Sequence, residues 1–261
     1  MADFNDANLR GARFDRADLT GATFYATDLT DVTFRGSEFM KVTMRGVELC
    51  DVDISGELKN VTVNGVDIAP LVEAELNRRD PDRARMRPDD PAGFREAWQI
   101  LERRWAQTVD RARRLPAELL HESVDGEWSF TETLRHLVFA TDAWVSRAIL
   151  GDPAPWDPLG LPWDEMPDTP GTPRDRAARP SLDEVLALRA GRMATVAAVI
   201  GGLTAESLAA DTTPVAGTGW PPPVSFPVKE CLLIVLNEEW EHRRYAERDL
   251  AVLEQGAPWR R

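Results

Sequence analysis

CLLIVLNEEWEHRRYAERDL, residues 231–250, has the spacing of a single amphipathic helix, and the rest of the chain can be interpreted around it. At about 100° per residue, one face collects Cys231, Ile234, Val235, Glu238, His242, Tyr245 and Asp249. Glu238 and His242 are four residues apart on a face that begins apolar. A carboxylate removed from water needs a charged partner or a metal ion. Two side chains at this spacing can converge on one ion, so the helix indicates a polar site.

Composition and charge exclude several classes of protein. The 261 residues suit one large or two modest domains, and 43% hydrophobic residues allow an ordinary core. A net charge of −13 argues against affinity for nucleic acid or anionic membranes. Cys50 and Cys231 form no disulfide framework, and no apolar run of about 18 residues or signal-peptide layout is present. We therefore expect a cytoplasmic protein without nucleic-acid or membrane partners.

The first part of the chain repeats every five residues. Large residues recur at Phe4, Leu9, Phe14, Leu19, Phe24, Leu29, Phe34, Phe39, Met44, Leu49 and Ile54. From Leu9 onward, a small or β-branched residue precedes each of them by two positions. Neither a helix nor a flat strand has this period. A square coil with four five-residue sides does, and it would turn both sets of residues inward.

The peptides ANLRG, ADLTG and SEFMK resemble the A(D/N)LXX motif of the pentapeptide-repeat family. The resemblance implies a multidomain protein that begins with a short right-handed quadrilateral β-helix over residues 1–68. Long acidic members of that family dimerise and imitate duplex DNA against gyrase, but the mixed charges of this short segment make it a poor mimic. A structural appendage whose open end is covered by the next segment is one interpretation. A homodimer contact or protein docking through the repeat is the other.

After Ile68 the spacing becomes helical. Residues 69–90 combine a short capping helix, APLVEAELNRR, with a charged, proline-rich linker. Residues 91–261 then carry four long helical patterns, at 94–114, 130–150, 181–200 and 231–250. This order predicts an all-α four-helix bundle after the coil.

Start and stop signals support these limits. Ser129, with Glu132 three residues later, has the form of a capping box, and the Gly201–Gly202 pair ends the third pattern. Proline-rich segments at 153–180 and 211–227 are expected to be long loops. Loops of this length are compatible with crossover connections and with lining a site between the helices.

One of the three histidines, His136, lies on the second helix with small residues on its own side. Together with Glu238 and His242 it offers two nitrogens and one carboxylate from two helices, which leaves a fourth position open as in catalytic zinc sites. An internal His–Glu hydrogen-bond cluster that stabilises the bundle explains the same residues equally well. Glu239, three residues before His242, is the alternative carboxylate ligand. Glu238 is preferred because it lies four residues before His242 and has apolar neighbours.

Two stretches, GEWSFTETLRHLVFATDAW at 126–144 and NEEWEHRRYAERDL at 237–250, resemble the DinB-like superfamily, which includes mycothiol-dependent maleylpyruvate isomerase and the bacillithiol transferases. In that superfamily a histidine on the second helix and a pair four residues apart on the last helix bind a divalent metal. The resemblance implies that His136, Glu238 and His242 hold a metal, with zinc the expected ion. Their types and order match the His, Glu, His set of the mycothiol-dependent branch.

The resemblance implies a metal-dependent thiol S-transferase or isomerase. The metal would favour the thiolate of mycothiol or a similar low-molecular-weight thiol, which would attack an electrophilic substrate. A non-catalytic metal-binding or protein-interaction scaffold is the alternative. Tyr245 is the candidate contact for the thiol cofactor, against a simply packed tyrosine. His121 is a candidate proton carrier, against an ordinary turn residue, and no residue is assigned as catalytic.

Overall fold

Backbone turns follow one another at five-residue intervals through the N-terminal part of the chain. In the computed structural model, which describes residues 3–256, the chain divides into two units between Gly56 and Glu57. The first unit has a positive backbone φ at Asp6, Gly11, Arg16, Gly21, Ala26, Asp31, Gly36, Lys41, Gly46, Asp51 and Gly56. Local hydrogen bonds, such as that from Ala12 N to Leu9 O at 2.9 Å, close some of these turns. The five-residue period is therefore present in the backbone itself.

The β-helix predicted for this unit is not confirmed. Residues 3–56 contain no strand. The large residues predicted to turn inward, from Phe4 to Ile54, are between 44% and 71% exposed, so the predicted burial of their side chains is wrong. The physical reason lies in the turn hydrogen bonds, which join residues two or three apart. Such bonds reproduce the period without pairing the backbone of successive coils.

The second unit is mainly helical, and it begins with a short hairpin of β1 (Thr62–Val63) and β2 (Val66–Asp67). Its described residues form seven α-helices: α1 (Ala69–Arg79), α2 (Pro81–Ala84), α3 (Pro91–Ala112), α4 (Phe130–Thr141), α5 (Leu182–Gly201), α6 (Ala205–Leu208) and α7 (Val228–Glu254). A 3-10 turn, Ala117–His121, precedes α4, and a π-helical segment, Asp142–Ile149, continues it. The prediction of four long helices in an all-α part is confirmed.

Capping side chains explain where the long helices begin. Ser129 accepts from the backbone N–H of Glu132, whose side chain accepts from the N–H of Ser129, and this confirms the predicted capping box of α4. Ser181 and Glu184 form the same pair at α5. Asp90 caps α3 by accepting from a backbone N–H at 2.8 Å. Each cap satisfies N–H groups that have no partner inside the helix, which stabilises it by about 1 kcal/mol.

The charged segment between α1 and α3, residues 80–90, is attached to α3 by ion pairs. Arg104 of α3 donates to Asp80 at 2.7 Å and to Asp82 at 2.6 Å, and all three side chains are partly shielded from water. The segment therefore belongs to the helical unit. The domain limits predicted at residues 68 and 90 stay predictions.

The core lies between the four long helices, where α4 packs against α5 and α7, and α3 packs against α7. One apolar cluster includes Phe94, Trp98, Leu236 and Trp240, a second includes Trp105, Phe130, Leu134 and Leu250, and a third gathers Phe139, Trp156, Trp163 and Trp220 near the long loops. Both loops were predicted, and they occupy residues 151–181 and 211–227 between the helices. None of the helices in residues 3–256 combines the length and apolar character that a membrane span requires.

Candidate metal centre

α4 and α7 bring His136, Glu238 and His242 together. One ligand atom from each side chain lies within 4.8 Å of the other two. Oε2 of Glu238 is 3.1 Å from Nε2 of His136 and 3.0 Å from Nε2 of His242. His136 is buried, and the other two are half-buried. The structure therefore collects at one point the three residues that the sequence singled out.

A backbone carbonyl fixes the tautomer of His136. Nδ1 of His136 lies 2.9 Å from the carbonyl oxygen of Leu161, which belongs to the loop between the π-helical segment and α5. A carbonyl oxygen can only accept, so Nδ1 must carry the hydrogen. Nε2, the other ring nitrogen, lies 3.1 Å from the Glu238 carboxylate, and it is the atom that a bound metal would contact.

The Glu238 carboxylate is held in its charged form. Burial works to raise its pKa, but hydrogen bonds from His136 and His242 outweigh burial and lower the pKa below its usual range. The ionised carboxylate is therefore available at neutral pH. One negative oxygen between two imidazole nitrogens is an arrangement that a cation can occupy.

The structure distinguishes Glu238 from its rival Glu239. The Glu239 carboxylate is only 1% exposed and accepts two hydrogen bonds from Arg189 of α5, at 3.0 and 2.6 Å. The Arg189 guanidinium also lies over the ring of Trp105 at 4.7 Å. Glu239 is thus committed to a buried ion pair between helices, whereas Glu238 faces His136.

An indole ring covers the two imidazoles. The ring centroid of Trp128 lies 4.6 Å from that of His136 and 5.8 Å from that of His242, stacked nearly parallel to the latter. Nε1 of Trp128 donates to Asp164 at 3.3 Å, and Asp164 also pairs with Arg176 of the same loop. The loop therefore holds the indole in place over the site.

The other sequence candidates lie at different distances from this group. The Tyr245 ring is edge-on to His242 at 5.9 Å and 40% exposed, so it borders the site, and its predicted role in thiol binding stays a prediction. His121 ends the 3-10 turn and is not one of the three grouped residues; burial and then the charge of Arg179 lower its pKa. Cys231 is fully buried near the start of α7.

Sequence reasoning missed the Leu161 carbonyl and the position of Trp128. A backbone carbonyl has no side-chain signature, so no pattern could have pointed to residue 161. Trp128 did offer a signal, because an aromatic residue directly before the cap at Ser129 must lie near the first turn of the helix that carries His136.

The donor set fits a divalent cation. Zinc binds imidazole nitrogen and carboxylate oxygen at about 2.0–2.2 Å, which separates neighbouring ligands of a tetrahedral site by about 3.4 Å. The observed separations of 3.1 and 3.0 Å are close to that value. Imidazole and carboxylate also suit iron, nickel and copper, so zinc stays a prediction.

The fold and the site define a class: a protein with a helical unit whose second and last long helices present two imidazoles and a carboxylate suited to a divalent metal. The chain belongs to the DinB superfamily, whose family model matches residues 100–246, more than half of the 261. This superfamily is metal-binding, and all three residues lie in the matched range. Pentapeptide repeats match in eight copies, over residues 2–36 and 17–56, so both sequence resemblances are confirmed. Searches of curated proteins and of solved structures returned no match.

Proposed function

We propose that this chain is a divalent-metal-dependent enzyme that uses a low-molecular-weight thiol, as an S-transferase or an isomerase. The observation that carries the proposal is the meeting of two imidazole nitrogens and one carboxylate oxygen within 4.8 Å of one another. Membership of a metal-binding superfamily and resemblance to its thiol-dependent branch support it. Zinc is the proposed metal, mycothiol or a similar molecule the proposed thiol, and the cytoplasm the proposed location.

Three side chains, His136, Glu238 and His242, would hold the cation. Bound there, a divalent cation favours the thiolate form of a coordinated thiol at neutral pH. The Glu238 carboxylate offsets part of the charge of the cation. Trp128 shields the two imidazoles from water, which strengthens electrostatic interactions within the site. We propose that Tyr245 lines the thiol-binding site and contacts the thiol, because its ring borders His242 and is partly exposed.

The proposed reaction forms a carbon–sulfur bond. The S–H bond breaks, its proton passes to solvent, and the sulfur attacks an electrophilic carbon of the second substrate. In a transfer, the bond from that carbon to a leaving group breaks, and the leaving group takes the electron pair. In an isomerisation, the sulfur adds to a double bond conjugated with a carbonyl, whose oxygen takes the electron pair. The former carbon–carbon double bond, now single, rotates. The electron pair on the oxygen then re-forms the double bond, the sulfur leaves with the electrons of the carbon–sulfur bond, and a proton from solvent regenerates the thiol.

Metal analysis of the full chain, purified without added metal, tests the site. We expect about one divalent ion per chain, since the three ligands define a single site. His136→Ala and Glu238→Gln should each lower the metal content to background. Glu241→Gln is the matched control, because Glu241 lies on the same helix but pairs with Arg244 at 2.6 Å. Metal content that is unchanged in His136→Ala would refute the assignment.

Conjugation of a thiol to monochlorobimane tests the chemistry. Mycothiol, bacillithiol and glutathione serve as the probe thiols, and fluorescence of the conjugate reports its formation. With at least one thiol, we expect a rate above that of the uncatalysed reaction, and chelation of the metal or His242→Ala should abolish the difference. A rate enhancement that survives metal removal would contradict the proposed mechanism.

A non-catalytic scaffold with a structural metal is the second candidate, and the cover over the site favours it. Trp128 lies against both imidazoles, and a structural site, unlike a catalytic one, needs no open position for a substrate. This candidate predicts that metal removal lowers the melting temperature strongly, while no thiol raises it. An increase in melting temperature with mycothiol that requires the metal would instead support the enzyme.

A further inference from the structure

We propose that Arg135 is a positioning residue for the metal ligand beside it: its guanidinium holds the loop whose Leu161 carbonyl orients His136. The inference rests on the proposed function, because it concerns the same metal site. Arg135 is a buried charged residue that is not one of the three proposed metal ligands.

The Arg135 side chain ties down both ends of a loop segment. It is completely buried, at 0% exposure. Nε donates to the carbonyl of Leu159 at 2.8 Å, Nη1 donates to the carbonyl of Ala178 at 3.1 Å, and Nη2 donates to the carbonyl of Asp175. One guanidinium therefore fastens the chain both before and after the segment that contains Leu161.

The same segment is bonded to the backbone and side chain of α4. The Leu161 N–H donates to the carbonyl oxygen of Arg135 at 3.2 Å. The Leu161 carbonyl, in turn, lies 2.9 Å from Nδ1 of His136. Residues 159–161 thus run beside Arg135 and His136. Three of their backbone groups are hydrogen-bonded to these two residues: the carbonyl of Leu159 and the N–H and carbonyl of Leu161. A shift at Leu159 would move the Leu161 carbonyl, and with it the imidazole.

The chemistry of arginine suits this role. A buried cation is costly unless hydrogen bonds satisfy it, and here the partners are carbonyl oxygens of three separate loop residues. A planar guanidinium presents donors in several fixed directions, whereas a lysine presents three donors from one atom. Outer hydrogen bonds that orient a ligating histidine typically change metal affinity by 10- to 100-fold when they are lost.

The chain offers a matched control in Arg147, on the π-helical segment. Arg147 is also buried, at 1% exposure, and also donates to loop carbonyls, including Pro153 at 2.7 Å and Gly217 at 3.1 Å. Its partners lie in other parts of the two loops and none of them contacts a site histidine. Replacing Arg147 therefore reports the cost of loosening a loop without disturbing the Leu161 carbonyl.

Cobalt(II) titration of the metal-free full chain tests the inference, because the visible absorption bands of cobalt(II) report ligand geometry. We expect Arg135→Lys to weaken cobalt affinity about 10- to 100-fold and to alter the bands. Arg147→Lys should keep both the affinity and the bands of the unaltered chain. Circular dichroism checks that each variant is folded. Should Arg135→Lys fail to fold, Arg135→Gln removes the charge, keeps one donor group, and is expected to have the same effect.

The possible results separate two failures. If the unaltered chain binds cobalt and a folded Arg135 variant has the same affinity and spectrum, the positioning role is overturned and the metal site stands. If the unaltered chain binds neither cobalt nor zinc, the proposed function fails, and the positioning role fails with it. If Arg147→Lys changes the bands as much as Arg135→Lys does, loop fastening alone explains the effect and the inference is wrong.

Discussion

The repeat unit and the helical unit turn periodic sequence into structure in two different ways. In residues 3–56, the period appears as a turn every five residues, and the large apolar side chains stay exposed. In residues 57–256, apolar residues at helical spacing are buried, with Phe94, Leu134 and Leu250 at 0% exposure. Local hydrogen bonds are enough to set a backbone period, but burial needs a second surface that another element supplies. An ion pair or hydrogen bond of a given type should therefore contribute far more to the free energy of unfolding in the helical unit than in the repeat unit.

The largest expected difference in stability between the two units concerns two ion pairs of similar length. Arg189–Glu239 in the helical unit is 2.6 Å long with side chains 3% and 2% exposed, whereas Arg13–Asp15 in the repeat is 2.9 Å long with side chains 82% and 63% exposed. Arg189→Leu leaves a buried charge without a partner, so we expect the free energy of unfolding to fall by about 3–5 kcal/mol. Arg13→Leu should leave it unchanged, because water already solvates both charges. Urea unfolding followed by circular dichroism measures both.

The double variant Arg189→Leu/Glu239→Leu serves as the control. It removes both charges and should recover much of the lost stability, since an apolar pair can replace a buried ion pair. Equal stability of Arg189→Leu and Arg13→Leu would break the comparison between the units.

The two cysteines give a contrast of at least about a hundredfold in reaction rate. Cys50 of the repeat is exposed, whereas Cys231 of α7 is fully buried, and burial raises the pKa of the Cys231 thiol to about 11. At pH 8 only about one Cys231 thiol in a thousand is ionised, and the thiolate is the reactive form. We expect one fast thiol with Ellman's reagent in the folded chain and two in denaturant. Cys50→Ser should remove the fast phase; two fast thiols in the folded chain would contradict the burial of Cys231.

Local hydrogen bonds that cap turns and helices should show a smaller difference between the two units in their contribution to the free energy of unfolding. The Ser129 hydroxyl accepts from the backbone of Glu132 in the capping box of α4, and Asp18 accepts from the backbone of Thr20 at 2.9 Å in the repeat. Ser129→Ala should lower the free energy of unfolding by about 1 kcal/mol, because the first turn of α4 loses a partner. Asp18→Ala should have no measurable effect, since water replaces the carboxylate. A cost for Asp18→Ala as large as that for Ser129→Ala would show that the repeat is more tightly ordered than its exposure indicates.

The smallest expected effect is that of removing the repeat. A chain that begins at Glu57 should keep the metal content and the melting temperature of the helical unit. The reason is that His136, Glu238 and His242, with the Leu161 carbonyl, all lie in that unit. Metal analysis and thermal unfolding of the shortened chain test this, and a loss of metal would mean that the repeat contributes to the site.

Local signals allowed the four long helices to be predicted. The capping residues Ser129 and Ser181 are recognisable from a few neighbouring letters. The inward direction predicted for the repeat was wrong, because a five-residue period fixes where the chain turns and not whether successive coils pair.

The candidate site was predictable in its side chains but not in its surroundings. His136 and His242 were found because residue type and spacing together are informative. Glu238 was preferred to Glu239 from its spacing and apolar neighbours, but the partner that occupies Glu239, Arg189, lies 50 residues away along the chain and could not be predicted. The Leu161 carbonyl could not be predicted, because any residue would provide one.

The π-helical segment Asp142–Ile149 sets the direction in which Arg147 points. Each residue of a π-helix advances less around the axis than a residue of an α-helix, because its hydrogen bonds span one residue more. If this segment were ordinary α-helix, the Arg147 side chain would rotate away from the carbonyls that it now reaches. Shortening the segment by one residue would therefore remove the hydrogen bonds from Arg147 to the second loop, while every site residue kept its identity. In this region a change of length should do more harm than most changes of residue type.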